Sequence, residues 1–278
     1  MIYFMASVTQ RIKQVKQPYG GYLPVKKLKK LELTDGQIIH DKENVAPQVV
    51  GMVVDYLTRF MLTHDKEKSF DISLQGAKIV DACELLHNFD DATGHNNQDQ
   101  ARAWLDGING NDDKSIKNAI NLVAYDTALR AGYGAYIKSQ MASLLYSSKD
   151  PSRDTLDNIK LMVHRSLYPF KKFSPLKSAG FTMPGGYTDI VTSGDGDYLS
   201  DKILWDFKVS KNKPNSKQTL QILMYWIMLK HSDLADDTAS IDTIGLFNPR
   251  LNVAYTINVY DIDPEIIAKV EHDVIGYN

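Results

Sequence analysis

The sequence predicts an α/β (α+β) fold: a helical N-terminal half followed by a mixed central sheet flanked by helices. Three observations carry this expectation. Apolar residues recur every three to four positions through much of residues 45–175, the period of one helical face. After about residue 175 the texture changes to short β-rich runs bounded by Gly, Pro and Asn turns. One helical segment interrupts those runs and another follows them, an order that suits a mixed sheet with helices packed on it.

In chain order, residues 1–44 are poorly periodic and partly loop, with "QPYGGYLP" as a turn region. They read as a basic N-terminal extension of the same domain. Residues 45–175 are the helical region. Pro47 is a good first-turn residue for a helix to about Thr63, with Val50, Val53, Val54, Leu57 and Met61 on one face. Further helical patterns lie near 73–88, 98–108, 114–145 and 153–170, separated by loops such as "DDATGHNNQDQ" and "NGNDDKS". Residues 176–278 hold the core strands and helices. "GFTMPGG", "YTDIVTSG", "DKILWDFKVS", "SIDTIGLFN" and "NVAYTINVY" read as strands. Turns are expected at Gly185-Gly186, Gly194-Asp195-Gly196 and Asn248-Pro249-Arg250. Helices are expected at about 216–231 and from Pro264. No internal repeat is visible.

The chain has 278 residues, 43% hydrophobic and 24% charged, which is ample for a full core in one large domain or two small ones. Its one cysteine, Cys83, excludes an intramolecular disulfide and a cysteine-ligated zinc or iron–sulfur site. A reducing, cytoplasmic location follows as the simplest expectation. The start lacks a signal-peptide pattern. The most apolar later window, "VAPQVVGMVVDYLTRFML", is broken by Pro47, Asp55 and Arg59 and is too polar to span a bilayer.

The formal net charge of −2 is unevenly spread. Residues 1–30 carry seven Lys or Arg and no acid; residues 202–217 carry five Lys against one acid. Residues 81–113 carry eight acids and one Arg. Such asymmetry makes a local phosphate-attracting surface available on a near-neutral protein, although solvated surface is the simpler account of any single cluster.

Two carboxylates stand out in the strand region. Asp189 in "YTDIV" and Asp206 in "ILWDFKV" interrupt apolar runs where Asp is disfavoured and a lone buried carboxylate is costly. On adjacent strands their charges would repel, and a divalent cation between them removes the conflict. Hard oxygen ligands suit Mg²⁺ or Mn²⁺. Lys208, two residues after Asp206, shares its face, where an ammonium can orient water and offset phosphate charge. The Phe207 carbonyl between them is a candidate further ligand. On the next helix Gln218, Gln221 and Tyr225 share one face, either to hold a phosphate and brace Lys208 or as a polar stripe. A second Asp-x-Lys, at Asp112-Asp113-Lys114, has no apolar strand leading into it.

The ordered set Gly186-x-x-Asp189, Asp206-Phe207-Lys208, Gln221-x-x-x-Tyr225 resembles the PD-(D/E)XK nuclease superfamily, and within it the RecB-like branch. The resemblance is close over about residues 180–230, and the later strands follow in the expected order. Phe207 stands where the branch often has Tyr. The resemblance implies metal-dependent hydrolysis of DNA phosphodiesters, with Asp189 and Asp206 as metal ligands and Lys208 as the catalytic lysine. It also implies a His or Glu on an upstream helix near the metal. The best positional match is Asp55, four residues after Gly51, with Glu84 and His164 as alternatives. Gln221, Tyr225, Lys211, Lys213 and Lys217 would then position the strand.

There is no Gly-x-x-x-x-Gly-Lys-Ser/Thr phosphate loop, and "AGYGAY" at 131–136 reads as close helix packing. Rival readings are a catalytically inactive nuclease fold serving as a nucleic-acid-binding or assembly module, and a nuclease acting on RNA. The sequence leaves open endo or exo cleavage, strand preference, polarity, oligomeric state, and any replication or recombination partner.

Overall fold

The computed structural model describes residues 6–86, 96–146 and 150–278. Residues 1–5 of the basic extension, positions 87–88 of the helix expected at 73–88, and residues 90–95 of the "DDATGHNNQDQ" loop lie outside the described residues. In chain order the elements are β1 (Ala6–Ser7), α1 (Val8–Gln14), β2 (Lys29–Glu32), α2 (Pro47–Thr63), α3 (Lys66–Ser69), α4 (Asp71–Leu86), α5 (Asn97–Asp106), α6 (Asp113–Leu122), α7 (Asp126–Ala131), α8 (Tyr133–Tyr146) and α9 (Arg153–Lys172). Then come β3 (Leu176–Thr182), β4 (Val191–Ser193), β5 (Asp195–Ser200), β6 (Ile203–Phe207), α10 (Ser216–Lys230), β7 (Thr243–Asn248), β8 (Val253–Asn258) and α11 (Pro264–Lys269). A π-helical turn, Val270–Ile275, continues α11. Among the described residues no helix is long and apolar enough to cross a membrane.

The chain forms two compact units: residues 37–167, and residues 1–36 together with 168–278. In the first, α2 starts on Pro47, buries Val50, Val53, Val54 and Leu57, and stops at His64 in the left-handed conformation. The long helical pattern at 114–145 is three helices. A 3₁₀ turn at Val123–Tyr125 separates α6 from α7, and Gly132 at φ +86° separates α7 from α8. Asp126 is buried there, accepting hydrogen bonds from the hydroxyls of Tyr56 and Ser73.

The second unit holds a mixed six-stranded sheet in the order β2-β8-β7-β6-β5-β3. β6 and β7 are parallel and joined through α10; the other neighbours are antiparallel. Against one face, Leu199, Leu204 and Leu246 pack under Leu220, Leu223, Met224 and Tyr225 of α10. Aromatic rings cluster about the β5–β6 pair: Tyr198 and Phe207 lie 4.6 Å apart, Phe207 and Phe247 5.0 Å, and Phe173 and Trp205 5.5 Å.

Three expectations change. The basic extension supplies the edge strand β2, paired with β8, although its sequence is not strand-like. Asp189 is not in a strand. The "YTDIVTSG" run contributes only the short β4, which pairs with β1 in a separate two-stranded sheet. Gly194-Asp195-Gly196 is not a turn but the entrance to β5. Gly196 is needed there for space: a Cβ would lie 2.1 Å from the Phe181 ring on β3.

Candidate active site

β6 is an apolar central strand, and its buried run Ile203-Leu204-Trp205 delivers Asp206 to the strand end at 1% exposure. Leu204, Asp206 and Lys208 alternate onto the face under α10, while Trp205 and Phe207 take the aromatic face. Lys208 holds its strand line by donating its backbone N–H to Phe247 at 2.8 Å. Its ammonium lies 2.8 Å from both Asp206 carboxylate oxygens. The lysine side chain keeps 28% exposure against 2% for the aspartate, so the pair has one foot in solvent.

The β5–β6 register pairs Leu199 with Leu204 and Tyr198 with Trp205. Its continuation sets Asp197 opposite Asp206. The backbone ladder ends at Tyr198, and the Asp197 carboxylate takes the next donor, the Phe207 N–H, at 2.8 Å. On these paired strands Asp197, not Asp189, stands across from Asp206. Sequence reasoning passed over Asp197, although a second Gly-x-x-Asp, Gly194-Asp195-Gly196-Asp197, was there to be read.

Asp189 lies exposed in a bend, where a carboxylate stays hydrated at no cost. Its neighbours tie it elsewhere. Thr188 Oγ1 donates to the Ile275 carbonyl at 2.6 Å, and Ile190 packs on Gly276. The preceding Gly185-Gly186 turn fits against the end of α10: Asp233 N–H donates to the Pro184 carbonyl at 2.8 Å, and a Cβ on Gly186 would lie 2.4 Å from the Met228 carbonyl.

On α10, Asn215 and Gln218 form a reciprocal capping box, so Gln218 starts the helix rather than serving the site. Gln221 Nε2 donates to the Tyr225 hydroxyl at 3.0 Å. Tyr225 is buried, and burial first, then the carboxylates of Asp206, Asp197 and Asp195, push its phenol above the ordinary tyrosine range. It stays neutral, accepts from Gln221, and has its own proton to donate. The structure thus gathers Asp197, Asp206, Lys208, Gln221 and Tyr225 on one face.

The other sequence candidates lie in the 37–167 unit. Asp55 is held by Arg59 one turn on, with Oδ2 to Nη2 at 2.9 Å and Oδ1 to Nε at 3.1 Å. Glu84 accepts from Asn97 Nδ2 at 2.8 Å. His164 lines a cleft of about 520 Å³ with His40, Asn111 and Lys160. Of the lysines after β6, Lys211, Lys213 and Lys217 are all exposed.

Among the described residues no group of three or more His, Cys, Asp or Glu is placed to hold a metal ion. Asp197 and Asp206 are a smaller donor set: two carboxylates on paired strands, the second held by Lys208. By donor type, two carboxylates suit Mg²⁺, which binds through one or two carboxylates and otherwise keeps water or substrate oxygens. Comparison with protein-family models, curated proteins and solved structures returned no match.

Proposed function

We propose that the chain is a metal-dependent deoxyribonuclease with a PD-(D/E)XK core of the RecB-like kind. One observation carries the reading: a buried Asp206 opposite Asp197 across β5–β6, with Lys208 on the same face and Tyr225 of the next helix above. The succession of antiparallel β3, β5 and β6, the crossover helix α10 and parallel β7 supports the reading.

In this reading Asp197 and Asp206, with the Phe207 carbonyl, would hold Mg²⁺ or Mn²⁺, which would supply Lewis-acid polarisation of the scissile phosphate and a more nucleophilic water. Asp197 replaces Asp189 in the ligand role. Lys208 needs little movement to serve the reaction. Its ammonium already stands beside Asp206, so it presents positive charge where a phosphate's charge develops and orients attacking water. Tyr225 would donate a hydrogen bond to a phosphate oxygen, and Gln221 fixes the direction of that hydroxyl. Lys211, Lys213 and Lys217 supply phosphate contacts, which carry affinity and orientation without sequence information.

The test is digestion of linear, circular and single-stranded DNA with Mg²⁺, Mn²⁺ or EDTA, beside the Asp206→Asn variant. Cleavage that needs the metal and is lost in the variant supports the reading. Cleavage persisting in EDTA, or no cleavage of any substrate, overturns it.

A further inference from the structure

A turn beside the α10 start carries a side chain with no packing role. Pro18, Tyr19, Gly20 and Gly21 form a β-turn closed by Gly21 N–H donating to the Pro18 carbonyl at 2.9 Å. Gly20, at φ +83°, takes the left-handed third position of a type II turn. Gly21 seats the turn on α10, since a Cβ there would lie 2.5 Å from Ser216 Cβ. Thr219 Oγ1 then ties the following segment to the same helix by donating to the Leu23 carbonyl at 2.6 Å. The turn is braced, yet its second residue, Tyr19, is fully exposed at 107%, the most exposed large apolar side chain among the described residues.

A ring held in water on a braced turn adds nothing to the core. Lysines flank it along the chain and along the helix it rests on. Lys217 follows Ser216 directly, Lys211 and Lys213 lie on the connection entering α10, and Lys16 precedes the turn; all are exposed. An exposed aromatic ring among backbone-tracking cations is what single-stranded nucleic acid recognition uses, because every base has a stacking face.

Building on the nuclease reading above, we propose that Tyr19 stacks on a base of a single-stranded stretch of the DNA substrate while Lys211, Lys213 and Lys217 hold its phosphates. At about 1.5 Å per residue, Ser216 stands about 14 Å along the α10 axis from Tyr225. At about 3.4 Å per nucleotide of stacked strand, that is about four nucleotides from the bond being cut. An intact duplex offers base faces only at its ends, so the preferred substrate is single-stranded or frayed DNA.

The experiment compares wild type, Tyr19→Ala and Tyr19→Trp. In EDTA, binding of a short oligothymidylate and of a closed hairpin duplex is measured by anisotropy. Tyr19→Ala is expected to lose about tenfold or more in oligothymidylate affinity and to keep its duplex affinity. In Tyr19→Trp the added emission should be quenched by oligothymidylate, with affinity retained. Hydrolysis of bis(p-nitrophenyl) phosphate with Mn²⁺ should be the same in all three. Unchanged oligothymidylate binding by Tyr19→Ala, equal losses on both DNAs, or no quenching would overturn the stacking role while leaving wild-type cleavage, and so the nuclease reading, intact. A wild-type protein that cleaves no DNA would remove both.

Discussion

Asp197 reaches across from β5 to accept the backbone N–H of Phe207 at 2.8 Å, next to the buried Asp206. This contact makes Asp197, rather than Asp189, the second carboxylate of the candidate site. Calorimetric titration with Mn²⁺ separates the two. Asp197→Asn and Asp206→Asn should each abolish detectable binding and cleavage, whereas Asp189→Asn, exposed in its bend, should match wild type. Loss of Mn²⁺ binding in Asp189→Asn alone would reverse the assignment.

Lys208 faces an almost fully buried carboxylate, so its removal touches stability as well as chemistry. Stripping one partner from a buried pair costs about 3 kcal/mol, because the remaining charge stays desolvated. Lys208→Ala should unfold at lower denaturant without metal and recover much of the loss with Mn²⁺, or in the double variant Asp206→Asn/Lys208→Ala. Its cleavage rate should fall by about 10²-fold or more with metal saturating. Equal stability of Lys208→Ala and wild type in EDTA would mean that the ion pair contributes nothing.

Tyr225→Phe keeps the ring and removes only the hydroxyl that Gln221 addresses. The expected stability cost is about 1 kcal/mol, with a larger proportional fall in kcat than rise in KM. Gln221→Ala should reproduce part of the effect in wild type and none in Tyr225→Phe. Additive losses would show that the two residues act separately.

At high pH the buried tyrosines should govern stability. Burial, then the charge of Glu84, pushes the Tyr136 phenol up to about 12, and burial pushes Tyr277 up to about 12. The unfolded chain loses these protons from about pH 10, so it binds fewer protons than the folded protein above that pH. Stability is then fully present below pH 10 and falls as pH rises toward 12. Chemical denaturation across this window should show a steep loss that Tyr136→Phe makes shallower. A flat profile would mean that these hydroxyls titrate alike folded and unfolded.

The Asp55–Arg59 pair is a partly exposed i,i+4 bridge within α2. Asp55→Ala should cost about 0.5 kcal/mol or less and leave Mn²⁺ binding unchanged. A lost binding isotherm would restore Asp55 as a metal ligand.

Much of this was readable in the residues themselves. Pro47 and the apolar spacing after it define α2 to its last residue, and Asp206-Phe207-Lys208 followed by Gln221 and Tyr225 marks strand end and helix face. What was hidden has physical causes. Glycine-rich "GDGD" reads as a turn, but Gly196 is there to admit the Phe181 ring, and β5 vanishes from the pattern with it. Apolar flanks made Asp189 look buried; a bend exposes it, and Ile190 and Val191 serve other contacts. β2 shows no strand pattern because all four of its residues are exposed at the sheet edge, and its partner β8 is more than two hundred positions away.

That last pairing sets the order of events in synthesis against the order of assembly. β2 leaves the ribosome more than two hundred residues ahead of β8, yet Lys29 and Glu32 pair with Thr256 and Val253. Residues 37–167 emerge in between as one contiguous stretch and can collapse on their own. Until β8 has been made, the lysine-rich β2 has no ladder to join, and β7 waits with one side open. Completion of the sheet therefore depends on a closure of long sequence separation, the slow kind of folding step, and a nascent chain stalled before residue 253 would carry a finished helical unit and an unclosed sheet.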